Sequence, residues 1–133
     1  MPTLSNATLK IELVSGTTKK KVTATVNVKF DLNEETFIKL IPTIHSTIRC
    51  RIMGYDTGAN APHDHLFWMT SKVVAKDTLA LKFSGQVLSS ALDEDDASNA
   101  GADEIFARFS CVNNSPVLSA ATPVDSAVVI GTF

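Results

Sequence analysis

The chain has 133 residues, a net charge of −2, 44% hydrophobic residues and 20% charged residues. This length fits about one domain, and the apolar content is too high for a disordered segment. The near-neutral charge argues against a nucleic-acid partner, and the longest apolar runs are too short to form a transmembrane segment.

Alternation of apolar and polar residues predicts a β-hairpin near the start of the chain. Residues 9–13 and 22–30 both alternate, and the turn between them contains Gly16, which can adopt a positive φ. About a quarter of all residues are valine, isoleucine or threonine, whose branched side chains favour strands.

Residues 33–41 interrupt the alternation with apolar residues at helical spacing. Asn33 is the predicted helix cap, and Pro42 limits the segment to a helical turn or two. The alternative is a crossing loop that covers one end of the fold.

Five further strands follow, at residues 48–52, 66–74, 79–83, 105–111 and 124–133. Gly85 is predicted to mark a β-bulge. Seven such strands are most simply buried as two antiparallel sheets packed face to face, so the sequence predicts a single all-β sandwich domain over residues 1–133. A barrel is the alternative architecture.

Cys50, Trp68 and Cys111 occur in the Cys–Trp–Cys order of immunoglobulin domains. Phe109 stands where the tyrosine corner has its tyrosine, and the interval from Cys50 to Trp68 is long. The resemblance is therefore one of architecture, immunoglobulin-like or C2-like, and not of family membership. Both cysteines share the parity of apolar neighbours, which predicts core-facing free thiols, with a cross-sheet disulfide as the alternative in an exported protein.

His63 and His65 form the most metal-like pattern in the sequence. Residues i and i+2 of a strand point to the same side, so both imidazoles can reach one metal ion. The pair is similar to the start of the cupin motif, with Gly58 before it, but the glutamate that supplies the third cupin ligand is absent from the residues that follow. A small metal-dependent enzyme is one interpretation, and two histidines at a loop edge is the other.

Six acidic residues lie in a stretch without basic residues: Asp93, Glu94, Asp95, Asp96, Asp103 and Glu104. Calcium prefers clustered carboxylate oxygens on loops, so calcium is the cofactor that this stretch suggests. Ala97 and Ser98 replace a ligand and the glycine of an EF-hand loop, which excludes that motif. A solvated acidic loop is the alternative.

The sequence favours a non-catalytic binding or assembly module over an enzyme, with the metal-dependent enzyme and a viral or phage structural subunit as alternatives. The apolar strand 66–74 and the C-terminal strand 124–133 are candidate surfaces for a homo-oligomer. Lys19–Lys21 is predicted to protect a sheet edge. Residues 1–6 show no secretory signal, so a cytoplasmic location is the default expectation.

Overall fold

A computed structural model of the protein describes residues 2–54, 64–92, 103–118 and 121–131. In chain order the elements are β1 (Thr3–Leu13), β2 (Lys19–Lys29), α1 (Leu32–Leu40), β3 (Ser46–Gly54), β4 (Asp64–Trp68), β5 (Lys72–Val74), β6 (Thr78–Leu88), a 3₁₀ turn (Ser89–Leu92), β7 (Asp103–Asn113), β8 (Val124–Asp125) and β9 (Val129–Gly131). The described part of the chain is therefore mostly strand, with one short α-helix.

The strands form two antiparallel sheets that pack against each other as a β-sandwich. The smaller sheet has the order β1-β2-β6, and the larger has the order β4-β3-β7-β8, with β5 also paired to β3 and β9 to β7. Because β4 and β5 follow each other along β3, and β9 and β8 along β7, the nine strands occupy seven positions. The predicted antiparallel sandwich of about seven strands is confirmed, and the predicted strands 66–74 and 124–133 are each divided in two.

The core lies between the two sheets and consists of alternate residues of the central strands. On β2 four such residues are buried: Val22, Ala24, Val26 and Val28. Phe83 of β6 and Phe109 of β7 come from opposite sheets, and their ring centroids are 5.7 Å apart at an interplanar angle of 55°. Tilted aromatic pairs of this kind are favourable, so this contact helps to hold the sheets together.

Helix α1 follows β2 and begins with a capping box. The amide of Glu34 donates to Asp31 Oδ1 at 2.8 Å, and the amide of Asp31 donates to Glu34 Oε1 at 3.1 Å. The cap is thus Asp31 and not the predicted Asn33, because the aspartate two residues earlier already accepts the amide hydrogen bond. Pro42 lies beyond the last helical residue, so the helix reaches nine residues. No helix in the described ranges is long and apolar enough to cross a membrane.

Two predictions about positions in the smaller sheet are wrong. Lys19–Lys21 does not protect a sheet edge, because β2 is the central strand of its sheet. Gly85 does not mark a bulge, because it pairs with Val22 in regular register, and the irregularity lies further along β2 between Val26 and Val28. The predicted positive φ of Gly16 is confirmed at 75°.

The cysteines and the tryptophan do not form the immunoglobulin arrangement. Cys50 on β3 and Cys111 on β7 lie on adjacent strands of the same sheet, and both thiols are free. Trp68 lies on the edge strand β4 and is 46% exposed, whereas the immunoglobulin tryptophan packs in the core against an inter-sheet disulfide. Free thiols are confirmed, with Cys50 buried and Cys111 half-buried.

Candidate functional site

The outer face of the larger sheet carries all three arginines of the chain and its only tryptophan. Strand β3 turns Cys50 and its alternate neighbours into the core, so Arg49 and Arg51 point to the opposite side. The same alternation on β7 places Arg108 on this side. We call Arg49, Arg51, His65, Trp68 and Arg108 the arginine–tryptophan face.

Strand register places three of these side chains, together with Asp125, in one row across the sheet. Trp68 on β4 lies opposite Arg51 on β3, which lies opposite Arg108 on β7. Arg108 in turn lies opposite Asp125 on β8. Residues directly opposite each other on one face of a sheet are within reach of side-chain contact, so the row is continuous.

Two guanidinium groups lie over the indole ring of Trp68. The guanidinium carbon of Arg49 is 4.3 Å from the ring centroid, and that of Arg51 is 5.4 Å from it. Both distances are within the range of cation–π attraction. The indole therefore orients two positive charges at the surface while nearly half of the side chain stays exposed.

His65 fixes the direction of the Arg51 side chain. Arg51 Nε donates to His65 Nδ1 at 2.7 Å, and the imidazole and indole centroids are 5.7 Å apart. Because guanidinium is only a donor, Nδ1 acts as an acceptor in this contact and the imidazole proton resides on Nε2. The remaining donors of Arg51 stay available to a ligand.

The charge of Arg108 is compensated within the face by Asp125. Arg108 Nε donates to Asp125 Oδ1 at 2.8 Å, and Nη2 donates to Oδ2 at 3.1 Å, which is a two-bond fork geometry. This hydrogen bonding raises the pKa of Arg108 above its ordinary value. Taken together, the three arginines and Asp125 carry a net charge of +2.

Arg49 and Arg51 make no ion pair with a carboxylate in the parts of the chain that the structure describes. Arg49 is exposed and Arg51 is half-buried, so their guanidinium groups can meet a ligand from solvent. Guanidinium groups bind phosphate and carboxylate with paired hydrogen bonds. The arrangement is chemically suited to holding an anion beside an aromatic ring.

A buried apolar pair borders the face at the next row of the sheet. Met53 lies opposite Phe106, and both are less than 5% exposed although they belong to the outer side of the sheet and not to the main core. The guanidinium carbon of Arg108 is 5.4 Å from the Phe106 ring centroid. Arg108 thus lies beside a closely packed apolar pair.

Of the two predicted metal-binding histidines, His65 is among the described residues and His63 is not. His65 is an exposed residue of β4. The described ranges contain no group of three histidine, cysteine or acidic side chains that could hold a metal ion. The contact of His65 with Arg51 places a positive charge beside the imidazole, and the two-histidine site stays a prediction.

Most of the predicted calcium ligands fall outside the described residues, namely Asp93, Glu94, Asp95 and Asp96. Asp103 is the first residue of β7, and its side chain is not among those that the structure describes. Glu104 is a half-buried residue of β7 that lies opposite Ile130. Calcium binding by this segment therefore stays a prediction.

A second polar site surrounds Cys111, beside a surface depression of about 490 Å³. Ser46 Oγ donates a hydrogen bond to Asn113 Oδ1, and Cys111 Sγ donates to the same Asn113 oxygen at 3.3 Å. Burial raises the pKa of the Cys111 thiol, and the charge of Glu34 adds to this rise while Ser46 opposes it. A protonated thiol is a poor nucleophile, so this site is chemically less active than the arginine–tryptophan face.

This face is not among the candidate sites predicted from the sequence, although the sequence contains a signal for part of it. Arg49 and Arg51 have the spacing of two side chains on one side of a strand, opposite the core-facing residues.

Comparison with models of protein families, with curated proteins and with solved structures finds no match.

Proposed function

We propose that the protein is a non-catalytic binding module that holds an anionic ligand on the arginine–tryptophan face. The observation that carries this proposal is the row Trp68–Arg51–Arg108, in which one arginine has a carboxylate partner and the other has none among the described residues. Like charges directly opposite on a sheet are destabilising, so an anion that bridges Arg51 and its neighbours relieves a repulsion already present in the fold.

The chemistry of the face supports binding and not proton transfer. Arginine stays protonated at any pH at which proteins fold, so Arg49, Arg51 and Arg108 cannot act as acids or bases. The Nδ1 atom of His65 already accepts a hydrogen bond from Arg51 Nε. An oxyanion bound here is oriented and charge-compensated but meets no nucleophile among the described residues of the face.

The single tryptophan makes the proposal directly measurable. Because Trp68 is the only tryptophan, its fluorescence reports on this face alone. We expect saturable fluorescence changes on titration with inorganic pyrophosphate or with citrate in calcium-free buffer. Two charge-assisted contacts are worth roughly 3–6 kcal/mol together, which corresponds to a Kd between about 5 mM and 50 μM.

The variant Arg49→Ala/Arg51→Ala should abolish this saturation. The matched control, Lys19→Ala/Lys20→Ala, removes the same charge from the smaller sheet and should bind as the unmodified chain does. Replacing both arginines by lysine keeps the charge but loses the fork geometry, so it should weaken binding without abolishing it. The proposal would be contradicted if the unmodified chain bound neither anion, or if the alanine variant bound an anion as tightly as the unmodified chain does. A difference between pyrophosphate and citrate identifies phosphate or carboxylate as the preferred group.

A further inference from the structure

Among the described residues, strand β6 is an edge strand of the smaller sheet with no strand paired on its outer side. The sheet order places β1 at one edge and β6 at the other. Strand β1 also packs against β7, β8 and β9, whereas the described elements in extended contact with β6 are β2 and the 3₁₀ turn that follows it. An edge strand of this kind presents backbone donors and acceptors to another chain.

The register of the smaller sheet identifies which backbone groups of β6 point outward. The amide of Ser89 donates to the carbonyl of Thr18 at 3.0 Å, one residue beyond the pair Lys19–Leu88. Hydrogen-bonded and non-bonded pairs alternate along antiparallel strands, so every second residue of β6 bonds to β2. The residues between them direct their backbone groups away from the sheet: Lys82, Ser84, Gln86 and Leu88.

The outward edge of β6 has few of the features that normally prevent strand addition. Lys82 is its one charged residue, it contains no proline, and its register with β2 is regular from Leu81 to Leu88. Both edge strands have one irregularity: in β1 it lies between Ser5 and Thr8, where Asn6 has a φ of 51°, and in β6 it lies between Thr78 and Leu81, where Ala80 has a φ of 50°. Bulges, charges and proline are the usual protection of an edge strand, and between Leu81 and Leu88 the only one of these in β6 is Lys82.

We infer that β6 pairs antiparallel with β6 of a second copy of this chain, across a two-fold axis at Gly85. In this register Ser84 lies opposite Gln86 of the second copy, and Lys82 lies opposite Leu88 of the second copy. All four outward-facing residues then pair, which forms about eight hydrogen bonds and brings no like charges together. The two three-stranded sheets become one continuous six-stranded sheet.

The surroundings of the edge fit a second copy of the same strand. Gly85 has no side chain to crowd the axis, and the residue opposite Phe83 is Val87 of the second copy, an apolar partner. A groove of about 340 Å³ lies beside the edge, between residues 82–84 and 69–72, and leaves space next to the added strand. Leu79 and Leu88 are 83% and 55% exposed, so apolar surface is available to be covered.

A second copy of β6 can pair with this edge because of the two-fold symmetry: each residue pair between the copies occurs twice, with the roles of the two copies exchanged. A strand from an unrelated protein would need side chains that are compatible with the outward-facing residues between Lys82 and Leu88. The inference does not involve the arginine–tryptophan face, which belongs to the other sheet. Its failure would therefore leave the anion-binding proposal unaffected.

Sedimentation and amide exchange of the whole chain test the inference together. We expect a dimer as the concentration rises from about 10 μM to about 1 mM. The amides of Lys82, Ser84 and Gln86 should exchange at least about tenfold more slowly in the dimer, while those of Phe83 and Gly85, already bonded to β2, should change little. A monomer at every concentration, or a dimer whose outward amides stay fast, would overturn the inference.

A charge variant provides the matched control. The substitutions Ser84→Lys/Gln86→Lys place like charges opposite each other in the proposed register, so this variant should stay monomeric with unchanged circular dichroism. Thr36→Lys/Thr122→Lys adds the same charge at exposed positions away from β6 and should still dimerise. A dimer formed equally by both variants would also overturn the inference. If the first variant fails to fold, the exchange pattern of the unmodified chain still decides the question.

Discussion

Arg51 has an unusual electrostatic position for a residue in the middle of a sheet. Its neighbour across one strand boundary is Arg108, and its neighbour across the other is Trp68. The like charge of Arg108 is unfavourable there, whereas the indole face and the acceptor nitrogen of His65 are favourable. Neutral acceptors thus orient Arg51 without cancelling its charge, which leaves that charge available to an anion.

Asp125 limits the positive charge of the face, because its carboxylate pairs with Arg108. We expect Asp125→Asn to release the Arg108 guanidinium and to tighten anion binding. Exposed charge pairs are worth ~0.4–1 kcal/mol, so the Kd for pyrophosphate should fall by a factor of roughly two to five. Trp68 fluorescence titration measures this change. Glu12→Gln removes the same charge from an exposed site on the smaller sheet and should leave the Kd unchanged. Equal effects of the two variants would show that only net charge matters.

The sequence alone could predict some of this face but not its assembly. Alternation along β3 already places Arg49 and Arg51 together on one side of a strand. The position of Arg108 opposite Arg51 depends on the pairing of strands that are far apart in the chain. A shift of one residue in that register would turn a side chain to the opposite face, and no local pattern fixes the register.

At the scale of single elements, the hairpin of β1 and β2 depends on the turn at Gly16. Its φ of 75° is unfavourable for any residue with a side chain, although there is open space around it. We expect Gly16→Ala to lower the free energy of unfolding by ~1–2 kcal/mol, measured by urea denaturation.

Gly85→Ala is the matched control for this prediction, because Gly85 does not have a positive φ. An added Cβ there would meet Met69 Cε at 3.8 Å, which is ordinary van der Waals contact. We expect no loss of stability and a gain of up to ~1 kcal/mol, since glycine is unfavourable inside a strand. Equal losses in both variants would contradict a specific role for the Gly16 backbone.

Element type was readable from the sequence, whereas the ends and interruptions of elements were not. The predicted strand 66–74 is divided because, after the Met69 amide donates to the Cys50 carbonyl at 2.9 Å, regular pairing with β3 resumes only at Lys72. The helix begins early because Asp31 is a better-placed cap than Asn33. Both features depend on tertiary contacts or on competition between neighbouring caps, which periodicity does not report.

At the scale of the whole molecule, charge is distributed unevenly along the chain but mixed in the fold. Residues 1–53 contain eight basic and four acidic residues, and residues 54–133 contain four basic and ten acidic residues. The larger sheet brings Arg51 from the first part beside Arg108 from the second. The net charge of −2 repels anions at long range, so an anion must be held by short-range contacts at the face.

The cohesion of the two sheets should depend strongly on the contact between Phe83 and Phe109. Phe83 is 1% exposed, and its ring meets that of Phe109 from the opposite sheet. We expect Phe83→Ala to lower the free energy of unfolding by ~3–5 kcal/mol, a large part of the total stability of an ordinary domain. Leu79→Ala, at an 83% exposed position of the same strand, should change it by less than ~0.5 kcal/mol.

Urea denaturation followed by both circular dichroism and Trp68 fluorescence measures this difference and tests the predicted single domain. Trp68 lies on the larger sheet and Phe83 on the smaller, so in one cooperative unit the substitution in one sheet shifts the signal from the other. Coincident transitions at a lower urea midpoint are the expected result for Phe83→Ala. If the fluorescence transition stayed at its original midpoint while the dichroism transition moved, the two sheets would unfold independently and the single-domain prediction would be wrong.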